Sequence, residues 1–271
     1  MPTIEENLKC WNGSYGWSQA GDEWSASWGG AEAQWYGSIF PRIHAFVPAG
    51  RILEIAPGFG RWTQMLKTLC ERLMVVDLSE SCIAACKERF QDDTHISYYV
   101  NDGKSLEMIP DKSVDFAFTF DSLVHVEADV IEAYVTQLAR KLTPHGVGFM
   151  HHSNFGAYVE NPNEELPAYI SKLNEGWRAK SMTAGRFKDF CSAVGLQCIS
   201  QELICWGTTI HNDCFSLFTP RGSVWDRPNY VFVNHGFMNE ASYLSRMMKL
   251  YSASSFGARN GGRGAPVEGN R

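Results

Sequence analysis

Two short apolar runs, RILEIA at 51–56 and RLMVVDLS near 72–79, are joined by the glycine turn PGFGRW and a short helical start, TQMLKTLC. An apolar run without polar alternation buries both of its faces. That is the pattern of a parallel strand with helices above and below it. The alternation continues through the helix SESCIAACKERF, with Ser79 or Ser81 as its N-cap, to the strands ISYYVND and SVDFAFTFD. The amphipathic helix ADVIEAYVTQLARKL follows, closed by the turn TPHG, and then a fifth strand, VGFMHHS. TAGRFKDFCSAVG reads as another helix, and LQCISQELICW and DCFSLFTP as two late strands able to pair antiparallel. The fold expected is α/β: a doubly wound, mostly parallel seven-stranded sheet with helices on both faces and an N-terminal helical cap.

This divides the chain into an aromatic, helical cap at 1–50, the α/β domain at 51–252, and a disordered tail rich in Gly, Asn, Arg and Ser at 253–271. The net charge of −6 disfavours a nucleic-acid-binding surface. No apolar run reaches the roughly 18 residues of a membrane span. The polar, acidic opening MPTIEENLKC lacks the pattern of a secretory signal, so a cytoplasmic protein is expected. None of the eight cysteines forms a C-x-x-C pair, which reads as free thiols in a reducing compartment.

In a doubly wound sheet, ligands bind beyond the carboxyl ends of the strands. The first strand ends at Glu54, and Ala56, Gly58 and Gly60 follow it, small residues that let the backbone turn tightly against a ligand. The second ends at Asp77, an acid placed to accept hydrogen bonds from both hydroxyls of a ribose. A dinucleotide fingerprint needs a third glycine where Thr63 stands, after the bulky Trp62. NAD and FAD are therefore disfavoured, and a cofactor with ribose and adenine but no pyrophosphate is favoured.

LEIAPGFGRWT, VVDLSESCI, NDGKSL, SVDFAFTFDSLVHV and LTPHGVGFMHHS resemble, in order and spacing, the motifs of class I S-adenosylmethionine-dependent methyltransferases over roughly Arg51 to Ser153. Ala56 replaces the usual first glycine of the first motif. The resemblance implies S-adenosyl-L-methionine as cofactor. It puts Glu54 and the loop from Ala56 through Gly58 to Gly60, with Trp62 beside it, at the amino acid part. Asp77 would hold the ribose, Leu78 would pack on the adenine, and Asp102 would contact the adenine amino group with Gly103 alongside. Phe120, Asp121 and Ser122 would line the methionine end.

Methyl transfer to an oxygen nucleophile needs close alignment and usually a base, for which histidine is suited near neutral pH. His125, His151 and His152 lie at carboxyl strand ends. Adjacent strand residues point to opposite faces, so only one of the last two should face the cleft. A magnesium site drawn from Asp121, His125, Glu127, His151 and His152 conflicts with that ion's preference for oxygen ligands, so no metal is expected. The acceptor is expected to meet Tyr15, Trp17, Trp24 and Trp28 of the lead-in and Trp177 and Arg178 of the later polar segment. Trp24 and Trp28 would share a helix face. The competing reading makes these tryptophans anchors of the lead-in.

The activity expected is O-methylation of a small-molecule hydroxyl on a sugar, glycan or secondary metabolite, with a histidine base. The alternatives are N- or carboxyl-methylation of a small molecule or peptide, and a catalytically inactive binding protein of the same fold. The late strands and the helix MNEASYLSRMMKL offer a surface for a homodimer.

Overall fold

A computed structural model of the chain describes residues 3–159 and 178–252. Its strands are β1 (Ala49–Ile55), β2 (Cys70–Asp77), β3 (Ile96–Val100), β4 (Val114–Thr119), β5 (Leu142–Ser153), β6 (Leu196–Ile204), β7 (Asp213–Pro220) and β8 (Tyr230–Asn234). They form one sheet in the order β3-β2-β1-β4-β5-β7-β6-β8. The first five pair in parallel, and β7 runs antiparallel between β5 and β6. The order reverses at β1 and β4, so the crevice opens above their carboxyl ends.

Eight strands, not seven, make the sheet. The additional one, β8, pairs in parallel with β6 at the sheet edge. Tyr230, Val231, Phe232 and Val233 are all exposed there, so β8 lacks the buried pattern that reveals the other strands. The fifth strand also starts earlier than its apolar run. Its register against β4 steps from Val114↔Leu142 to Phe116↔Val147, so the expected TPHG turn bulges out within the strand.

Residues along β1 and β4 alternate between two cores. Leu53, Ile55 and Ala117 face the helices Ala128–Lys141 and Ala184–Ala193. Ile52, Phe116 and Phe118 face the opposite way, onto Trp28, Trp35, Ile39 and Ile43. The helix Ala128–Lys141 buries Val130, Ile131, Tyr134, Val135 and Leu138, the stripe that a 3.6-residue period produces. Ser79 caps the helix Glu80–Arg89 by accepting the Cys82 N–H, and Thr183 caps Ala184–Ala193 by accepting that of Arg186.

The lead-in is part of this frame. Ala31–Ile43 is helical throughout, with one wide turn at Trp35–Ile39. Pro41 falls in the first turn of its last segment and does not break it. The preceding stretch Asp22–Trp28 is a 3₁₀ helix, whose three-residue turn separates residues four apart. Trp24 is accordingly part-exposed, whereas Trp28 is 1% exposed and packs against Trp206 at 5.2 Å and Phe237 at 6.1 Å. Trp28 thus ties the lead-in to the turn after β6 and to the helix Phe237–Tyr251. No helix among the described residues is long and apolar enough to cross a membrane. Trp28→Ala should cost about 3–5 kcal/mol of folding stability, read as a lowered urea midpoint, whereas truncating the part-exposed Trp24 should cost much less.

Candidate active site

The turn after β1 bends by residues of positive φ: Ala56 at 59°, Gly58 at 58° and Gly60 at 86°. Glycine adopts this region freely, whereas alanine is strained there. Gly60 has a second reason to be glycine, since a Cβ would meet the Phe90 ring at 2.5 Å. Asp77, at the end of β2, clips the turn in place. One of its oxygens accepts the Gly58 N–H at 3.2 Å and the other the Ser79 N–H at 2.8 Å. Burial pushes this carboxyl up to about 6, against those backbone donors.

Asp77, Ala56, Gly58 and Leu78 line a cavity of about 510 Å³. Phe120, Asp121 and Ser122 line it from the end of β4, and Gly103 and Trp62 also face it. Ser122 Oγ donates to the Ala56 carbonyl at 2.7 Å, which joins the two strand ends. Glu54 lies outside this lining. It is buried behind the turn and accepts the Thr63 hydroxyl at 2.6 Å, and burial pushes it up to about 8. Asp102 also stays outside. Its Oδ1 accepts the N–H groups of Lys104 and Ser105, which hold it below the ordinary carboxylate range. It builds the turn that presents Gly103, on which Ile4 packs at 3.1 Å from a notional Cβ.

Of the three histidines, only His125 lines the cavity. The N-terminal segment closes over it. Asn7 donates to the His125 carbonyl at 2.8 Å, and the Trp11 ring lies 5.6 Å from the imidazole. His151 is fully buried just behind the wall. Its Nδ1 accepts the Asp121 N–H at 3.0 Å, so that nitrogen holds its lone pair inward, and Nε2 donates to Asp213 at 3.2 Å. With both nitrogens engaged in the wall, it has none to offer an acceptor. His152 points to the opposite face of the sheet, as strand alternation requires. It stacks on Phe187 at 4.6 Å and bonds Ser153 and Ser216, and burial pushes it down to about 4.

The lead-in supplies the roof. Trp17 stacks on Phe59 at 4.5 Å and lies over the glycine turn, where a Cβ on Gly58 would meet it at 2.8 Å. Trp24 and Trp28 also line the cavity. Tyr15 does not. It stacks on Trp24 at 5.4 Å and donates to Glu23 at 3.0 Å, supporting the roof from behind. Arg178 lines the cavity and forms a bidentate pair with buried Asp213, at 2.7 and 2.9 Å. Despite burial, Arg178 and His151 hold the Asp213 carboxyl down to about 2. Trp177 lies outside the described residues.

Sequence reasoning missed Trp11, Arg61 and Trp206 of the lining. Arg61 pairs with Asp121 at 2.8 Å and stacks over Trp62 at 4.5 Å. Its position inside GFGRW was the one available signal. Trp206 stacks on His151 at 5.2 Å, a contact that depends on how β6 and β7 are paired.

Glu54 makes folding sensitive to pH. Its folded pKa lies above the unfolded one, so its contribution is complete below about pH 4.5 and is lost as the pH rises through about 8. Over that window it should lower stability by up to about 1.4 kcal/mol per pH unit. Glu54→Gln should flatten the slope of urea-unfolding free energy between pH 5 and 8, and an unchanged slope would exclude Glu54 as its source.

Residues 52–146 match the model of a family described as a methyltransferase domain. No curated protein matches the chain. Among solved structures, the PH0226 protein from Pyrococcus horikoshii OT3 is similar at 18% identity, with a TM-score of 0.51 over 70% of this chain and 93% of that one. DhpI, solved as a complex with SAH, is similar at 20% identity, with a TM-score of 0.52 over 80% of this chain and 96% of that one. These likenesses share the fold. With the glycine turn at the end of β1 and the acid at the end of β2 both inside the matched stretch, the chain carries a methyltransferase domain.

Proposed function

We propose that the acceptor is a hydroxyl of a small molecule, such as a sugar, a glycan or a secondary metabolite, and that His125 removes its proton. The observation carrying this reading is that, of the histidines at the strand ends, His125 alone lines the cavity. The cofactor of this reading is S-adenosyl-L-methionine, which supplies a sulfonium-borne methyl group when bound.

The residues present suit that cofactor. Asp77 has lone pairs left on both oxygens beyond the two backbone N–H groups, enough to accept from two ribose hydroxyls. Leu78 and Gly103 give the adenine end an apolar floor. The turn from Ala56 to Gly60, with Trp62 beside it, and Phe120, Asp121 and Ser122 border the amino acid end. Glu54 supports this turn from behind through Thr63. Trp11, Trp17 and Trp24 line the cavity with aromatic rings, whose faces attract a cation. Arg178, held by Asp213, and Trp28 border the acceptor side. In this reading residues 1–50 form the cap, 51–252 the catalytic domain, and the protein works in the cytoplasm on a small molecule and without a nucleic-acid partner.

Asp77→Ala should weaken calorimetric binding of S-adenosylhomocysteine by about 10- to 100-fold, the loss expected for hydrogen bonds to a charged group. His125→Ala should lower kcat by about 100-fold or more on the hydroxyl acceptor found by screening with labelled cofactor, leaving cofactor affinity unchanged. Full turnover by His125→Ala would overturn the base. It would favour a carboxylate acceptor, which has no proton to lose.

A further inference from the structure

Away from the histidines of the cavity wall, Cys205, His211 and His235 meet at one end of the sheet. The strand ladders bring them together. The parallel register Ile204↔Asn234 places Cys205, just past β6, beside His235, just past β8. The antiparallel register Ile204↔Asp213 folds the β6–β7 turn back so that His211 reaches the same point. One ligand atom from each residue lies within 4.8 Å of the other two. Nε2 of His211 and Nδ1 of His235 are 3.1 Å apart.

We propose that these three side chains form a binding site for a soft divalent cation, best matched by Zn(II). The donor set decides the metal class. A thiolate with two imidazoles suits zinc, whereas magnesium and calcium seek oxygen. The geometry suits it as well. Zinc–nitrogen bonds of about 2.0–2.1 Å give a tetrahedron an edge of about 3.3–3.4 Å, close to the separation of the two imidazole nitrogens. The other nitrogen of His211 lies 3.4 Å from the Tyr158 hydroxyl, the kind of outer partner that fixes the tautomer of a metal-bound imidazole. Cys205 is buried and His235 is exposed, so the site has a dry floor and an open mouth for entry.

Binding releases the Cys205 thiol proton to solvent and forms one Zn–S and two Zn–N bonds, which leaves the fourth tetrahedral position to water. The turn so clamped carries Trp206 and Asn212, both in the cavity lining. Asn212 Oδ1 already accepts the Trp206 N–H at 2.8 Å, so the turn is ordered by its own bonds and the metal would tie it to β8.

The test is equilibrium titration of the chelator-stripped full chain with Zn(II) against a chromophoric competitor, repeated with Co(II) to observe the thiolate-to-cobalt charge-transfer band. One equivalent should bind. Cys205→Ser should abolish the band. His235→Ala, at an exposed position that should leave the fold intact, should weaken zinc by about 100-fold or more, beyond the roughly 10–100-fold that loss of an outer partner costs. Absence of stoichiometric binding would overturn the site. So would a band and affinity unchanged in both variants, which would assign the metal to other cysteines such as the part-exposed Cys10 and Cys70.

Discussion

The carboxylate of Asp77 accepts one backbone N–H from the turn after β1 and another from the turn after β2, and the whole site is built around that pair of bonds. A buried carboxylate is costly unless donors surround it. These donors offset part of the cost and also fix where the glycine turn stands. The turn then sets the position of Trp17 above it and of Phe90 behind it, because a side chain at Gly58 or Gly60 would collide with those rings. Ser122 joins the end of β4 to the same turn through the Ala56 carbonyl. The floor of the cavity is therefore one hydrogen-bonded unit assembled from three strand ends.

The far wall holds two buried ion pairs linked through His151. Arg178 pairs with Asp213, Asp213 accepts the His151 Nε2–H, His151 accepts the Asp121 N–H, and Asp121 pairs with Arg61. Each member satisfies the next, which is the condition under which buried polar networks are tolerated. Asp121 has a φ of 63°, an unusual conformation for a residue other than glycine, and its amide is tied to His151 there. The network orients the wall and occupies the groups within it. His151 is in this sense a positioning residue, and proton chemistry toward an acceptor falls to His125 on the proposed reading.

Much of this was legible locally. Uninterrupted apolar runs, a glycine turn and an acid-ended strand are short-range signals, and they correctly marked β1, β2 and the methyltransferase motifs. Edge strand β8 escaped because an edge position leaves its side chains exposed and erases the pattern of burial. Trp24 and Trp28 could not be ranked from their spacing, because a 3₁₀ helix separates them where an α-helix would align them. Glu54 and Asp102 carry the residue types of the motif, yet neither lines the cavity; each hydrogen-bonds the turn beside it.

The sequence by itself determined the α/β alternation, the methyltransferase motifs and the strand ends that line the cavity, because apolar periodicity and turn composition act over a few residues. Only the tertiary structure decided which histidine reaches the cavity, which tryptophan is core and which is roof, and that Cys205, His211 and His235 share one corner. Those outcomes depend on strand register and on which sheet face each side chain takes. Residues far apart in the chain set both, and no local pattern encodes them.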